Sequence, residues 1–149
     1  MISKFSDEYR FLSNFYPLIN PIRFQDISYP TVEHFFQGQK TLDVSIQILI
    51  SKCPTPGETK RMGKRVVIRN DWDKIKDLVM EKALFLKFSV NPDLARKLRD
   101  TGTEVLVEGN YWHDNYWGRC LCPRCLKIQG KNKLGTLLMD LRSNVNICC

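Results

Sequence analysis

The sequence predicts a single α+β domain of 149 residues that is mainly helical and has a minor β component. Three observations support this fold class. The segment DWDKIKDLVMEKALFLKF repeats its apolar residues with a helical period. The first thirty residues contain prolines and only short β-favouring runs. Strand and helix patterns do not alternate along the chain, which disfavours a doubly wound sheet. The length suits one hydrophobic core and is too short for two ordinary domains.

The N-terminal segment is predicted to form turns and two short strands before the first helix. Its β-favouring runs are interrupted by Pro17, Pro21 and Pro30. Pro30 also suits the first turn of a helix. We expect this helix to include Lys40, and its apolar side consists of Val32, Phe35 and Phe36.

Two short helices are predicted next. The run DVSIQILISK has apolar residues at helical spacing and stops before CPTPG, whose prolines end the pattern. The second helix starts with Thr55 as its N-cap and Pro56 in its first turn. Its basic residues are Lys60, Arg61, Lys64 and Arg65.

Two longer helices are predicted to form most of the scaffold. The apolar stripe of the first one is expected to face the core and consists of Trp72, Ile75, Leu78, Val79, Ala83 and Leu86. The next helix has Asn91 as its cap, Pro92 at its first position and Gly102 just beyond its end.

The last third of the chain begins with a short predicted strand, EVLVEG. The region from Gly109 to Lys131 is rich in aromatic residues and cysteines and has no clear period, which indicates a functional loop. Asn132 is expected to cap a final helix. The core-facing residues of that helix are Leu134, Leu137, Leu138 and Leu141.

The composition indicates a folded protein with anionic partners. Hydrophobic residues make up 43% of the chain and charged residues 26%, which excludes a disordered tail. The formal net charge of +7 favours nucleotides, nucleic acid or phosphorylated metabolites. No run is apolar enough for a signal peptide or a membrane span, so we expect a cytoplasmic protein.

The six cysteines occur without a secretion signal, which argues against a disulfide framework. Three of them, Cys120, Cys122 and Cys125, form CLCPRC, in which C-x-x-C is a zinc-knuckle spacing. A second such pair is missing, and the fourth ligand is open between His113 and the terminal Cys148 and Cys149. Structural zinc and a loop of free thiols are the two alternatives, and no cofactor is required.

Polar residues of types that take part in catalysis occur in the segments YPTVEHFFQGQK and YWHDNYWG. On a helix, Glu33, Gln37 and Lys40 share one face. Their spacing alone favours a solvated helix face over a reaction site. In the second segment, His113 and Asp114 lie between tryptophans, a setting suited to stacking a flat ring and shifting a pKa.

Seven segments occur in order and resemble the YbiA-like family, also called NADAR: FLSNFYP, YPTVEHFFQGQK, RMGKR, WDKIKDLVMEKALFLKF, LVE, DNYWG and GKNKLGTLLMDLR. The resemblance covers nearly the whole chain. It implies a compact, largely helical α+β domain that cleaves an N-glycosidic bond. Some members resemble enzymes that remove ADP-ribose from guanine, which is the activity we expect here on a nucleoside, DNA or RNA. Others look like hydrolases of phosphorylated riboflavin-pathway intermediates, which is the alternative.

The resemblance also implies a catalytic dyad, in which Lys40 attacks the anomeric carbon to form a Schiff base and Asp114 serves as acid and base. This assignment is chemically reasonable because a lysine becomes nucleophilic when it is desolvated or placed among cations. In the rival mechanism, Glu33 and Asp114 flank an oxocarbenium-like sugar without a covalent lysine.

Substrate contacts are assigned around this dyad. Glu33 is expected to hold ribose hydroxyls, and Arg61 to bind phosphate next to Gly63, which permits close backbone approach. Asn14 offers an amide to a base or ribose edge. The matched motifs further imply contacts from Trp117, Gly118 and Asn132, whereas His34 is expected to have a packing role.

The chain departs from the family in RCLCPRCLKIQ, where many relatives have a short glycine-rich link. This insertion is expected to tune substrate access or to hold a metal. A hypothesis of another class follows from it, namely a zinc-containing module that binds nucleic acid without catalysis. That hypothesis leaves EHFFQGQK and DNYWG unexplained.

Overall fold

The computed structural model describes residues 1–144, which divide into two compact units. The central unit is Asn14–Asn91, and the terminal unit combines Met1–Ser13 with the chain from Pro92 onward. Helices predominate and the strands are short, so the predicted α+β class is confirmed. The assignment of one domain stays a prediction. No helix within residues 1–144 is both long and apolar enough to cross a membrane.

The central unit begins with the two short strands that the sequence predicts. Strand β1, Ile22–Phe24, pairs antiparallel with β2, Ile27–Tyr29. The two residues between them, Gln25 and Asp26, have φ of 50° and 63°, as a tight two-residue hairpin turn requires. Tyr29 and Ile22 are fully buried, so the hairpin contributes to the core.

Four helices follow in the central unit: α1 Val32–Gly38, α2 Val44–Ser51, α3 Pro56–Gly63 and α4 Trp72–Val90. Side chains cap the first three. Thr31 accepts a hydrogen bond from the His34 N–H, and Thr55 accepts one from the Glu58 N–H. The predicted N-cap Thr55 is therefore confirmed, and Asp43 caps α2 in the same way.

Helix α1 is shorter than predicted and does not include Lys40. It ends at Gly38, whose hydrogen atoms face the Tyr29 ring, where an added Cβ would lie 2.9 Å from the ring. Lys40 lies in the turn that follows, and its N–H donates to the Gln37 carbonyl over 3.2 Å. The side chain therefore projects from a turn next to the helix, not from the helix face.

Helix α4 buries Trp72 and Ala83 of the predicted stripe, and the rest of its buried face differs from the prediction. Its buried residues are Trp72, Met80, Ala83, Leu84, Lys87 and Phe88. Leu78 is 64% exposed, so its predicted place in the core is wrong. It precedes Met80 by two positions, which is about 200° of helical rotation. Asn91, the predicted cap of the next helix, closes α4, because its Nδ2 donates to the Lys87 carbonyl over 2.8 Å.

The terminal unit contains a 3₁₀ helix at Asp7–Leu12, helix α5 at Pro92–Asp100, strands β3 at Gly109–Asn110 and β4 at Arg119–Cys120, a second 3₁₀ helix at Pro123–Cys125, and helix α6 at Lys133–Arg142. Gly102 follows α5 with φ of 62°, as predicted for a helix end. The predicted strand EVLVEG is reduced to β3 and a bridge between Leu106 and Ile2. Strands β3 and β4 are parallel.

Candidate active site

The polar row of the central unit is buried. Glu33 is 7% exposed and Gln37 4%, so the interpretation of a solvated helix face is wrong. Gln37 Nε2 donates to Glu33 Oε1 over 2.7 Å, and the Glu33 N–H donates to the Asn14 carbonyl over 3.1 Å. Burying a carboxylate this deeply costs free energy unless it is hydrogen-bonded, and the Gln37 amide provides such a hydrogen bond to Glu33.

Lys40 is half-buried beside this row. Burial lowers the pKa of its amine, the Glu33 carboxylate opposes that shift, and the nearby Lys60 and Lys64 reinforce it. Its Nζ lies 6.0 Å from the centre of the Phe36 ring. Partial desolvation and neighbouring cations are the two conditions that increase the neutral fraction of a lysine, and Lys40 has both.

Gly63 of α3 lies directly against Gln37. A Cβ at Gly63 would overlap Gln37 Oε1 and would come within 2.6 Å of Gln37 Cδ. The glycine therefore lets α3 approach α1 and holds the amide that contacts Glu33. Gln37 was missing from the predicted substrate contacts, although its position four residues after Glu33 was the available signal.

Two buried acceptor atoms in this region have no hydrogen-bond partner within residues 1–144: Gln37 Oε1 and Asn14 Oδ1. Asn14 Nδ2 lies 3.6 Å from Met80 Sδ, a weak contact that fixes the amide orientation. Buried acceptors are normally paired, so an unpaired one needs an explanation. Gln37 Oε1 is packed against Gly63, whereas Asn14 Oδ1 is suited to accept from a substrate hydroxyl or amino group.

Arg61 and Arg65 line a cavity of about 740 Å³ in the central unit. Thr41, the residue after Lys40, lines the same cavity. Arg61 therefore lies at a cavity, which Asp43 and Glu58 also line, and its role as a phosphate ligand stays a prediction. Arg65 was missed as a candidate although it closes the RMGKR motif, and two guanidinium groups suit a phosphate or diphosphate better than one.

His34 has the packing role that the sequence predicts. The side chain is 1% exposed, with Nδ1 2.7 Å from Thr31 Oγ1 and Nε2 3.0 Å from the Cys53 carbonyl oxygen. Burial lowers the pKa of its imidazole, and the hydrogen bond to Cys53 partly opposes that shift. With both ring nitrogens engaged, His34 serves to hold the start of α1.

Asp114 lies in the terminal unit, in the turn between β3 and β4. Its Oδ1 accepts hydrogen bonds from the N–H groups of Tyr116 and Trp117 over 3.0 and 2.9 Å. Asn110 secures the turn from behind, since its Nδ2 donates to the Asp114 carbonyl over 2.8 Å. The carboxylate is therefore fixed in orientation by its own turn, as a group that transfers protons to a bound substrate requires.

Glu108 is a second carboxylate in this turn region that the sequence analysis missed. Its Oε2 accepts from Asn110 Nδ2 over 3.1 Å, so Asn110 links Glu108 to the Asp114 backbone. Gly118 is buried against it, and a Cβ there would overlap the Glu108 carboxylate. The available signal was the LVE motif, of which Glu108 is the last residue.

Asn132 and Trp117 both have contacts within the terminal unit. Asn132 Oδ1 accepts from the Glu108 N–H over 3.0 Å, and its Nδ2 donates to the Leu106 carbonyl over 2.9 Å. Asn132 occupies the N-cap position of α6, with φ of 49°, as predicted. Its side chain, however, makes no capping hydrogen bond to the helix. The Trp117 ring packs edge-on against Tyr116, with centroids 4.9 Å apart.

Four potential metal ligands converge in the terminal unit: His113, Cys120, Cys122 and Cys125. Their ligand atoms all lie within 4.8 Å of one another, and the three cysteines are buried. Of the alternatives for a fourth ligand, the structure places His113 beside the three thiols. Cys148 and Cys149 lie outside the described residues.

Comparison with known proteins gives consistent results over most of the chain. The family model described as the NADAR domain matches residues 2–146. The chain is 38% identical over 144 residues to the protein named N-glycosidase YbiA from Shigella flexneri serotype 5b (strain 8401), a match that covers 95% of this chain and 85% of that protein.

Two further comparisons extend this result. The chain is 35% identical over 130 residues to riboflavin biosynthesis protein PYRR, chloroplastic, from Zea mays, covering 79% of this chain and 20% of that protein. The solved NMR structure of the E. coli protein YbiA is similar with a TM-score of 0.80 at 35% identity, covering 99% of this chain and 88% of that one.

Proposed function

The chain belongs to the NADAR domain family, and on that premise we propose that it is a hydrolase that cleaves the N-glycosidic bond between a ribose and a base. The Shigella relative is named an N-glycosidase, and it is matched over 85% of its length. The observation that carries the proposal in this chain is the half-buried amine of Lys40 near the buried Glu33 carboxylate and the cations Lys60 and Lys64, surroundings that together lower the pKa of the amine.

In the proposed reaction, the neutral amine of Lys40 attacks the anomeric carbon of the ribose, and the bond from that carbon to the base breaks. Asp114 donates a proton to the leaving base. The sugar ring then opens to give a Schiff base between Lys40 and the ribose carbon. Water adds to this carbon with Asp114 as the base, which releases the free ribose and regenerates the amine.

The other residues of the central unit have supporting roles. Glu33 accepts hydrogen bonds from ribose hydroxyls while Gln37 keeps its carboxylate in place. Asn14 Oδ1 supplies a further buried acceptor. Arg61 and Arg65, which line the 740 Å³ cavity, bind the phosphate groups of the substrate. No cofactor takes part in this scheme.

The first candidate substrate is ADP-ribosylated guanine, from which the protein would remove ADP-ribose. The net charge of +7 favours this choice, since the ADP-ribose carries two phosphates and guanine in DNA or RNA adds the charge of the polymer. The two arginines at the cavity fit a diphosphate.

The second candidate is a phosphorylated aminopyrimidine of riboflavin biosynthesis. One specific observation favours it, namely the 35% identity to the Zea mays riboflavin biosynthesis protein. A single phosphate also suits Arg61, so the residues of the central unit fit both candidates. Release of the base from each substrate, measured side by side by chromatography, distinguishes them.

Trapping with borohydride tests the covalent step. We expect the wild type to give a reduced sugar adduct on Lys40, located by peptide mass spectrometry. Lys40→Arg should lose the adduct and most of the rate, because the nucleophile is removed. Lys74→Arg, an exposed site on α4, is the matched control and should behave as wild type.

Two results would count against the proposal. Full activity of Lys40→Arg without any adduct in the wild type would exclude the lysine and favour the paired carboxylates Glu33 and Asp114. If neither substrate released its base with pure wild-type protein, the proposed function itself would be overturned.

A further inference from the structure

We propose that His113, Cys120, Cys122 and Cys125 bind one Zn²⁺ ion in a tetrahedral structural site within the terminal unit, a property beyond the proposed glycosidase activity. The four ligand atoms lie within 4.8 Å of one another. His113 Nδ1 is 3.3 Å from Cys125 Sγ and 3.4 Å from Cys122 Sγ. In a tetrahedral zinc site with Zn–S of about 2.3 Å and Zn–N of about 2.0–2.1 Å, ligand atoms are about 3.5–3.8 Å apart. The cluster therefore needs only small adjustments to close on a metal.

The local fold explains why residues distant by up to twelve positions meet. Cys120 ends β4, which is held parallel to β3 by the Leu121 N–H donating to the Asn110 carbonyl over 2.7 Å. Pro123 then starts the short 3₁₀ helix that turns the chain, and the Cys125 N–H donates to the Cys122 carbonyl over 3.0 Å. This turn brings the two ends of C-x-x-C together, as in zinc knuckles.

His113 reaches the thiols through an unusual backbone conformation. Its φ is 66°, in the left-handed region that a non-glycine residue seldom adopts. Strain of this kind persists only where surrounding contacts determine it and often marks a site with a function. The left-handed conformation of His113 places its Nδ1 beside the cysteine sulfurs. Metal binding therefore accounts for this conformation.

The ligand set and its burial favour zinc in a structural role. Three thiolates and an imidazole suit Zn²⁺. The cysteines are 2%, 9% and 5% exposed, so the metal would be closed off from solvent on their side. Four protein ligands leave no open position for water or substrate, which distinguishes a structural site from a catalytic one. Asn115 supports it, since its Oδ1 accepts from the Cys120 N–H over 2.9 Å.

The site has one consequence for the proposed chemistry. His113 directly precedes Asp114, whose Oδ1 accepts hydrogen bonds from the N–H groups of Tyr116 and Trp117. A metal bound to His113 therefore fixes the backbone on one side of Asp114, while Asn110 fixes it on the other. This link depends on the proposed function, whereas metal binding itself does not.

Metal content tests the proposal independently of activity. We expect protein purified under reducing conditions without chelators to contain about one zinc per chain by mass spectrometry of the metal. Cys122→Ser and Cys125→Ser should lose it. Cys53→Ser is the matched control, because Cys53 is a free thiol of the central unit, and this variant should retain the metal. Asn115→Ala should weaken zinc binding about 10–100-fold.

A cobalt experiment on the wild type covers the case in which the cysteine variants fail to fold. Protein stripped with a chelator and refilled with Co²⁺ should show the visible bands of tetrahedral cobalt and a thiolate-to-cobalt charge-transfer band. Less than about 0.1 zinc per chain in the purified wild type, together with no such bands, would overturn the site. Zinc binding by a protein that cleaves neither substrate would support the site and refute only the proposed function.

Discussion

Replacing Gly63 with alanine tests the contact that holds Gln37 against Glu33. The new Cβ would overlap Gln37 Oε1 and would lie 2.6 Å from its Cδ. Carbon atoms pack at about 3.5–4.0 Å, so the amide must retreat by about 1 Å or more. Since Gln37 Nε2 is only 2.7 Å from Glu33 Oε1, that movement breaks or distorts the hydrogen bond.

The magnitude follows from three contributions. Overpacking costs about 1–3 kcal/mol, and loss of a hydrogen bond to a buried carboxylate costs about 1.5–3 kcal/mol. The better helix propensity of alanine returns about 1 kcal/mol. We therefore expect Gly63→Ala to lower the free energy of unfolding by about 1.5–5 kcal/mol and the Tm by about 3–20 °C.

Urea unfolding followed by circular dichroism measures the effect. Gly57→Ala in the same helix is the matched control, because a Cβ there meets only Thr55 Oγ1 at 3.9 Å, an ordinary contact. We expect this control to be as stable as wild type or slightly more so. Equal stability of the two variants would refute the argument that the Gly63 contact is close and rigid. Base release by Gly63→Ala should also fall, because Glu33 loses its support.

Two further predictions concern buried or half-buried lysines. Lys60→Gln and Lys64→Gln each remove a cation that lowers the pKa of Lys40, so this pKa should rise in both variants. The rise of kcat with pH should therefore move to higher pH. An unchanged pH profile would exclude this coupling. Burial lowers the pKa of Lys87 to about 7. Between about pH 7 and pH 10 the unfolded chain therefore binds a proton at this amine that the folded chain does not, and stability should rise with pH by up to about 1.4 kcal/mol per unit. Urea unfolding between about pH 6.5 and 9 should show this rise in the free energy of unfolding for the wild type and a smaller rise for Lys87→Met. An equal dependence on pH in the two proteins would show that Lys87 is not the group that titrates.

Local signals predicted most of the helices. Thr55 and Pro56 mark the start of α3 because an N-cap hydroxyl and a ring-fixed φ act within a few residues. The length and period of the Trp72–Val90 segment predict α4 in the same way. The sequence did not predict which side of α4 is buried. Leu78 and Met80 are both apolar, and only the packing of the unit selects between them.

The roles of the candidate site residues stay predictions, and the environment in which the structure places them was not predictable from the sequence. Spacing predicts that Glu33 and Gln37 share a helix face, whereas Lys40 lies in the turn beyond Gly38. The burial of Glu33 and Gln37 depends on α3 approaching at Gly63, a long-range contact without a local signature. The end of α1 at Gly38 depends similarly on the Tyr29 ring. The sequence also left the fourth ligand of the cysteine cluster open. Among residues 1–144 the structure places His113 beside the three thiols through a left-handed backbone conformation, which neighbouring residues do not predict.

The division of the chain has a consequence for its synthesis on the ribosome. The central unit is continuous in sequence, so all of its internal contacts are available once Asn91 has left the exit tunnel. The terminal unit is assembled from two distant stretches, and its first thirteen residues must wait for the chain beyond Pro92 before they find their partners. At about 5–20 residues per second, synthesis of the intervening chain alone takes about 4–16 s. During this time, Phe11 and Leu12, which are buried in the folded chain, lack the contacts of their own unit, and such exposed apolar surface is prone to aggregation.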